Sequence, residues 1–255
     1  MYGLLAIVGA VPVLAAGAGF GALVRPQAPA QDPVQTAKLD EDSLARARQA
    51  FAGVSKRLEK IVELHAGYVQ EQESLLLAEP LVSKGAFHLR LDPGCLVLRL
   101  TEPSPAVIRS DAKSHRVYDP AAKRAEVFLF KENRLTKALI ACFRADLERV
   151  EAIFRIASYA ASEVKREGQE AQRLATVKLI PKTEELTSVM RSLTLAIDLD
   201  ERLPVRVTQI NREGEAVAFS LTNPKLLEEP AENSAVLFGQ ALPTDTHVVE
   251  RRVDQ

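Results

Sequence analysis

The residues best suited to chemistry in this 255-residue chain are few and scattered. There are four histidines, His65, His88, His115 and His247, and two cysteines, Cys95 and Cys142. No histidine stands at metal-ligand spacing from another, and no C-x-x-C, H-E-x-x-H, G-x-S-x-G or P-loop pattern occurs. His88 and His115 fall on or beside expected strands with polar neighbours, which reads as a surface or structural role. The two cysteines read either as a disulfide, in an oxidising compartment, or as free thiols; the distance between them decides. The cluster Asp198-Leu199-Asp200-Glu201 invites a calcium or catalytic-carboxylate reading. It is followed by Leu203-Pro204 and lacks the glycine of a calcium loop, so a solvated hairpin turn is the better reading. The mixed charges from Glu163 to Glu167 read as a solvated strand end or loop. No constellation supports catalysis, and none implies a cofactor or a metal.

Composition excludes further classes. Thirty-three basic against 34 acidic side chains leave a net charge of −1, without the basic excess of a nucleic-acid binder. Two cysteines are too few for a disulfide scaffold or a zinc module. With no tryptophan and 5% aromatics there is no stacking platform for bases or sugars. At 47% apolar the chain can bury a sizeable core, in one large domain or two small ones.

From Gly3 to Val24 the sequence carries no charge, and Arg25 ends the run. This length suits a secretory signal with its apolar core at Leu4–Ala16, or a retained membrane anchor. Small residues offer cleavage points after Ala18 and Ala30, and export with cleavage is the favoured reading. The run holds no cysteine for lipid attachment. Gly17-Ala-Gly19-Phe-Gly21-Ala22 loosely imitates a dinucleotide-binding turn, but Pro26, Pro29 and Pro33 forbid the helix that must follow. The expected organisation is a signal or anchor over residues 1–30, a linker over 31–42, one domain over 43–249 and a polar tail over 250–255.

The elements follow from hydrophobic period. Leu44, Ala47, Phe51, Val54, Leu58, Ile61 and Val62 recur at steps of three and four, predicting an amphipathic helix that starts near Ser43. After Gly67 the period becomes two. Strands are expected at Tyr68–Leu77, Val82–Leu91, Leu96–Thr101, Val107–Ser110, Arg116–Tyr118 and Ala125–Phe130, separated by proline- and aspartate-bearing turns. A helical patch at Arg134–Phe154 interrupts them. Strands resume at Gln172–Ile180, Val189–Asp198, Val205–Asn211 and Ala216–Thr222, with a last one at Ala235–Phe238. The fold class is α+β, mainly antiparallel β: about ten strands in a curved sheet or barrel, with helices over one face. Several strands, such as Leu96–Leu98 and Val127–Phe130, are apolar on both faces. They either pack on both sides or line an internal cavity.

The order of several short patterns resembles the periplasmic outer-membrane lipoprotein carriers, the LolA-like family. These are Tyr68-Val69-Gln70, Gly85-Ala86-Phe87 running to Pro93, Pro105 through Ser110-Asp111, and Val117-Tyr118-Asp119-Pro120. Leu179-Ile180-Pro181-Lys182, Leu193–Leu199, the hairpin Gln209–Ser220, and Val236-Leu237-Phe238 with Pro243 continue the series. The resemblance covers about Leu44–Val249. It implies an incomplete, strongly bent β-barrel, with the N-terminal helix and the mid-chain helical insertion covering an apolar cavity that takes acyl chains.

The partners so implied are acylated lipoproteins or other lipids, an inner-membrane release complex and an outer-membrane receptor, met by a monomer in the periplasm. The residues expected to line the cavity are Phe87, Leu89, Leu91, Leu96, Leu98, Leu100, Val127, Leu129, Leu195, Ile197, Val217 and Phe219. Strand parity groups them without saying which face is inward. The family's lid-closing arginine precedes the proline at the end of the second strand. Here Asp92 stands before Pro93, which leaves Arg90 as the lid-latch candidate. Ala112 stands where the family's turn has glycine. A non-catalytic membrane-tethered scaffold with a filled interior, or a carrier of a different lipid or glycolipid, is the competing reading. A lipid hydrolase ranks last, for want of a nucleophile–base pair.

Overall fold

The computed structural model describes residues 39–74, 79–164, 171–239 and 241–253. The uncharged N-terminal run, its glycine pattern, most of the expected linker and residues 75–77 of the first expected strand lie outside the described residues.

Twelve strands form one open, curled sheet in the order β12-β6-β5-β4-β3-β2-β1-β11-β10-β9-β8-β7. The first meander comprises β1 (Glu63–Gln72), β2 (Leu81–Arg90), β3 (Cys95–Glu102), β4 (Ala106–Asp111), β5 (Ser114–Asp119) and β6 (Arg124–Phe130). The second comprises β7 (Phe154–Val164), β8 (Gln172–Pro181), β9 (Met190–Asp198), β10 (Leu203–Asn211) and β11 (Ala216–Leu227). Because β1 pairs with β11, the ends of the two meanders meet in mid-sheet, and every pair within and between them is antiparallel.

Aspartates make the turns. Asp111 Oδ1 accepts from the amides of Lys113 and Ser114 at 2.9 and 2.8 Å, and Asp119 Oδ1 from those of Ala121 and Ala122 at 2.9 and 3.0 Å. Asp198 does the same for Asp200 and Glu201, so the acidic cluster is a hairpin turn.

Helix α1 (Glu41–Arg57) is capped by Asp40, whose carboxylate accepts from the Ser43 amide at 2.8 Å. Ser43 is therefore in the first turn, and Glu41 and Asp42, the last residues of the expected linker, are helical. Acidic Glu41 and Asp42 begin the helix and basic Lys56 and Arg57 end it, each complementing the helix dipole. Its buried stripe of Ala47, Ala50, Phe51 and Val54 packs against β7, β8 and β10. The helical patch expected at Arg134–Phe154 consists of two helices, α2 (Arg134–Arg144) and α3 (Leu147–Ile153). Ala145 enters the left-handed region at φ 52°, ending α2, and Asp146 caps α3 through the Arg149 amide. A short α4 (Glu184–Thr187) leads into β9.

Three expectations are corrected. The segment after Phe154 is strand β7, hidden in the sequence because a bulge between Ile156 and Ser158 flips its alternation. Ala235–Phe238 is not a strand: α5 (Ser234–Leu237) is a helical turn whose Val236 is 80% exposed, while Leu237 and Phe238 turn inward. The expected polar tail is largely strand β12 (His247–Val253), which runs parallel to β6, with the His247 amide on the Lys123 carbonyl at 2.8 Å.

Candidate functional site

Residues directly opposite each other in neighbouring strands share a face, so register assigns the faces that sequence parity left open. One row runs Ala66, Phe87, Leu98, Ile108, Val117, Glu126. The next runs Leu64, Leu89, Leu96, Ser110, His115, Phe128. In the other half Val177, Leu195, Val207 and Phe219 align across β8 to β11. The apolar members of these rows, Phe128 excepted, pack with α1, α2 and α3 in one continuous core. This is the inner face.

Ten of the twelve residues expected to line a cavity join that core: Phe87, Leu89, Leu91, Leu96, Leu98, Leu100, Leu195, Ile197, Val217 and Phe219. Val127 and Leu129 do not. They pair with Arg116 and Ser114 on the opposite face, and the inward residues of β6 are Glu126, Phe128 and Phe130. The apolar run Val127–Phe130 gave no alternation from which to choose.

The inner face is filled rather than empty where α2 crosses it. The Phe143 ring lies 5.2 Å from that of Phe87 and 5.9 Å from that of Phe219, and Tyr68 stands 5.9 Å from Phe219. Tyr68 donates to Gln70, and burial pushes its hydroxyl pKa up. At the far end of the sheet a cavity of about 600 Å³ remains between α1 and strands β7, β8 and β9 with the β9–β10 turn. Ala50 and Gly53 border it on the helix, and Tyr159, Ile197 and Leu199 on the sheet. Of the twelve chosen residues, Ile197 alone lines it.

Two polar groupings escaped the sequence reading. Under the start of α2, the Ser110 hydroxyl sits 2.6 Å from the Thr136 hydroxyl, 3.3 Å from His115 Nδ1 and 3.3 Å from Asn133 Nδ2. All four residues are buried, so the serine–histidine pair fastens α2 to β4 and β5 away from solvent. His115 is thus interior and structural. No spacing rule could have linked Ser110 to Asn133, which only the fold brings together.

The second grouping lies on the outer face. Arg90 donates to Ser234 Oγ at 2.5 Å, approaches Glu63 at 3.5 Å and lies 4.4 Å over the Phe238 ring. Arg109 donates to the Phe238 carbonyl at 3.1 Å and to Asp111 at 2.6 Å. Arg90 therefore latches the C-terminal segment around α5, and not the helices over the inner face. Burial pushes the Glu63 carboxyl pKa up. Hydrogen bonds from Ser234, the Ala231 amide and His65 outweigh that effect and hold it below the usual range. His65 and His88 meet edge-on at 4.6 Å, and burial, then the His65 charge, bring His88 down to about 4. Cys95 packs here with Val97, Leu237 and Phe238, whereas Cys142 belongs to the inner core. Both thiols are free. Among the described residues no three His, Cys, Asp or Glu side chains converge to hold a metal ion, and no helix is long and apolar enough to cross a membrane.

No family model and no curated protein matches the chain. Solved structures do. An uncharacterised conserved protein from Thermus thermophilus aligns at 11% identity and a TM-score of 0.48, over 81% of this chain and 99% of that one. MucB, in the Pseudomonas aeruginosa MucA/MucB complex, aligns at 15% identity and 0.42, over 80% of this chain and 63% of that one. A LolA superfamily protein from Nitrosomonas europaea aligns at 11% identity and 0.36, over 73% and 96%. The fold is an open, curled, mainly antiparallel sheet with helices over one face.

Proposed function

We propose that the chain is a non-enzymatic periplasmic carrier that shelters the acyl chains of lipoproteins or related lipids against its inner sheet face. It would carry them from the inner toward the outer membrane. The observation that carries this reading is the inner face itself: apolar rows run across both meanders, and separate helices cover them instead of a second sheet. Burying about a dozen acyl methylenes is worth roughly 10 kcal/mol, so a soluble carrier must offer an apolar surface of this extent. The cover must also part.

The polar ties of α1 are suited to that. Its side-chain link to α3 is the solvent-exposed Arg48–Glu151 pair at 2.9 Å, a class of contact worth about 0–1 kcal/mol. The cavity of about 600 Å³ lies beside α1. The uncharged run from Gly3 to Val24 supplies the export signal of this account.

The packing of Phe143 against Phe87 and Phe219 favours a second reading, an interaction module that keeps the fold with a filled interior. A neutral fluorescent diacylglycerol separates the two. Saturable one-to-one binding, competed by unlabelled diacylglycerol, is the carrier's result. No binding at micromolar protein favours the interaction module.

A further inference from the structure

The cavity beside α1 has a feature that acyl-chain burial alone does not require. Its lining joins apolar Ala50, Tyr159, Ile197 and Leu199 with four cations: Arg46, Lys56, Arg173 and Arg202. Arg46 is paired with Asp42 and Arg173 with Asp200, all four exposed. Asp198, the one carboxylate of the lining, is buried and already accepts from Gln172 and two turn amides. Among the described residues Lys56 and Arg202 are in none of the ion pairs.

Arg202 also holds its place against local preference. It takes a left-handed φ of 55° in the β9–β10 hairpin, a conformation that favours glycine. Its side chain crosses α1 at Gly53, with Cδ 3.8 Å from where a Cβ on Gly53 would lie. Gly53 sits mid-helix, where alanine is the better helix former. Glycine at 202 would suit the hairpin and alanine at 53 the helix, yet the two unfavourable residues face each other at the cavity. Locally disfavoured residues cluster at binding sites. The cavity volume, about 600 Å³, is that of a small-ligand site.

We propose that this cavity binds the headgroup end of a phosphate-bearing anionic lipid. Lys56 and Arg202 contact the phosphate, and the acyl chain enters over Ile197 and Tyr159. The proposal rests on the carrier reading and names the class of its cargo.

The test titrates the folded, lipid-free protein with dihexanoyl phosphatidylglycerol and dihexanoyl phosphatidylcholine, both as monomers, and with glycerol 3-phosphate. Native mass spectrometry reads binding. Phosphatidylglycerol should bind about tenfold tighter than phosphatidylcholine, and glycerol 3-phosphate hardly at all. Arg202→Gly and Lys56→Gln together should abolish the preference. Arg202→Gly relieves the backbone and should leave the melting temperature level or raised by about 2–4 °C, so loss of binding is not loss of fold.

Equal affinity for the two lipids overturns the headgroup proposal and leaves the carrier standing. So does a preference that survives both substitutions, or glycerol 3-phosphate binding as tightly as the lipid. If these lipids and the neutral diacylglycerol probe all fail to bind, the carrier reading falls with it.

Discussion

The Phe143 ring on α2 stands 5.2 Å from the Phe87 ring on β2. That contact seats the middle helix on the inner sheet face, and in the proposed carrier it is the packing a long acyl chain would displace. Phe143→Ala should cost about 3–5 kcal/mol in denaturant unfolding, the usual range for truncating a buried phenylalanine. The same variant should take up more of the diacylglycerol probe, because its inner face is already part-emptied. A loss of stability with no gain in uptake would place this contact outside the transport path.

Acid should loosen the outer face before the core. His88 is held near 4 in the folded chain against an ordinary 6.5, so the unfolded state binds more protons between those values. Stability from His88 is therefore complete above about pH 6.5 and is lost as pH falls toward 4, by roughly 2–3 kcal/mol. Glu63, whose pKa is lowered, adds a further loss below its ordinary value of 4.5. Unfolding free energies for the chain and for His88→Gln from pH 7 to 4 check this. The variant should lose most of the slope between pH 6.5 and 4.5, and an unchanged slope would contradict the assignment.

Arg90→Met should free the C-terminal segment and little else. The arginine holds Ser234 and Phe238, and losing hydrogen bonds of this kind costs about 1–2 kcal/mol. Hydrogen exchange should quicken at residues 234–239 while the amides of α1 and α2 keep their protection. Quickened exchange in α2 instead would return Arg90 to the role of lid latch.

Gly85 is required by backbone proximity. A Cβ there would lie 2.0 Å from the Arg99 carbonyl oxygen, next to the register shift between β2 and β3. Gly85→Ala should destabilise by about 2 kcal/mol or more, because a neighbouring strand and not a flexible side chain must move. A neutral substitution, read by thermal unfolding, would contradict the register.

Much of this was legible in the sequence, and the misses share a physical cause. Period two and aspartate-bearing turns located ten strands, and the resemblance implied the curled sheet with helices on one face. Strand β7 was lost because its bulge breaks alternation after Ile156. Ala235–Phe238 was misread because a four-residue apolar run has no period to separate strand from helix. Strand β12 is mostly exposed, and its valines show no period-two alternation to mark it. At the site, ten of the twelve residues that parity grouped join the inner core, but in β6 both faces are apolar and only pairing with β5 sends Val127 and Leu129 outward. The two cations Lys56 and Arg202 were invisible as a set, since they lie far apart in sequence and line one cavity only once α1 lies on the sheet.

The central claim is that the inner face carries lipid. Its most direct test is a native mass spectrum of the full chain, expressed with its own amino terminus in a Gram-negative host and purified from the periplasm without detergent. The account predicts a mature chain shortened at its amino terminus, part of it heavier by the mass of one lipid or acylated peptide. A single lipid-free species that also fails to bind the diacylglycerol probe would contradict it.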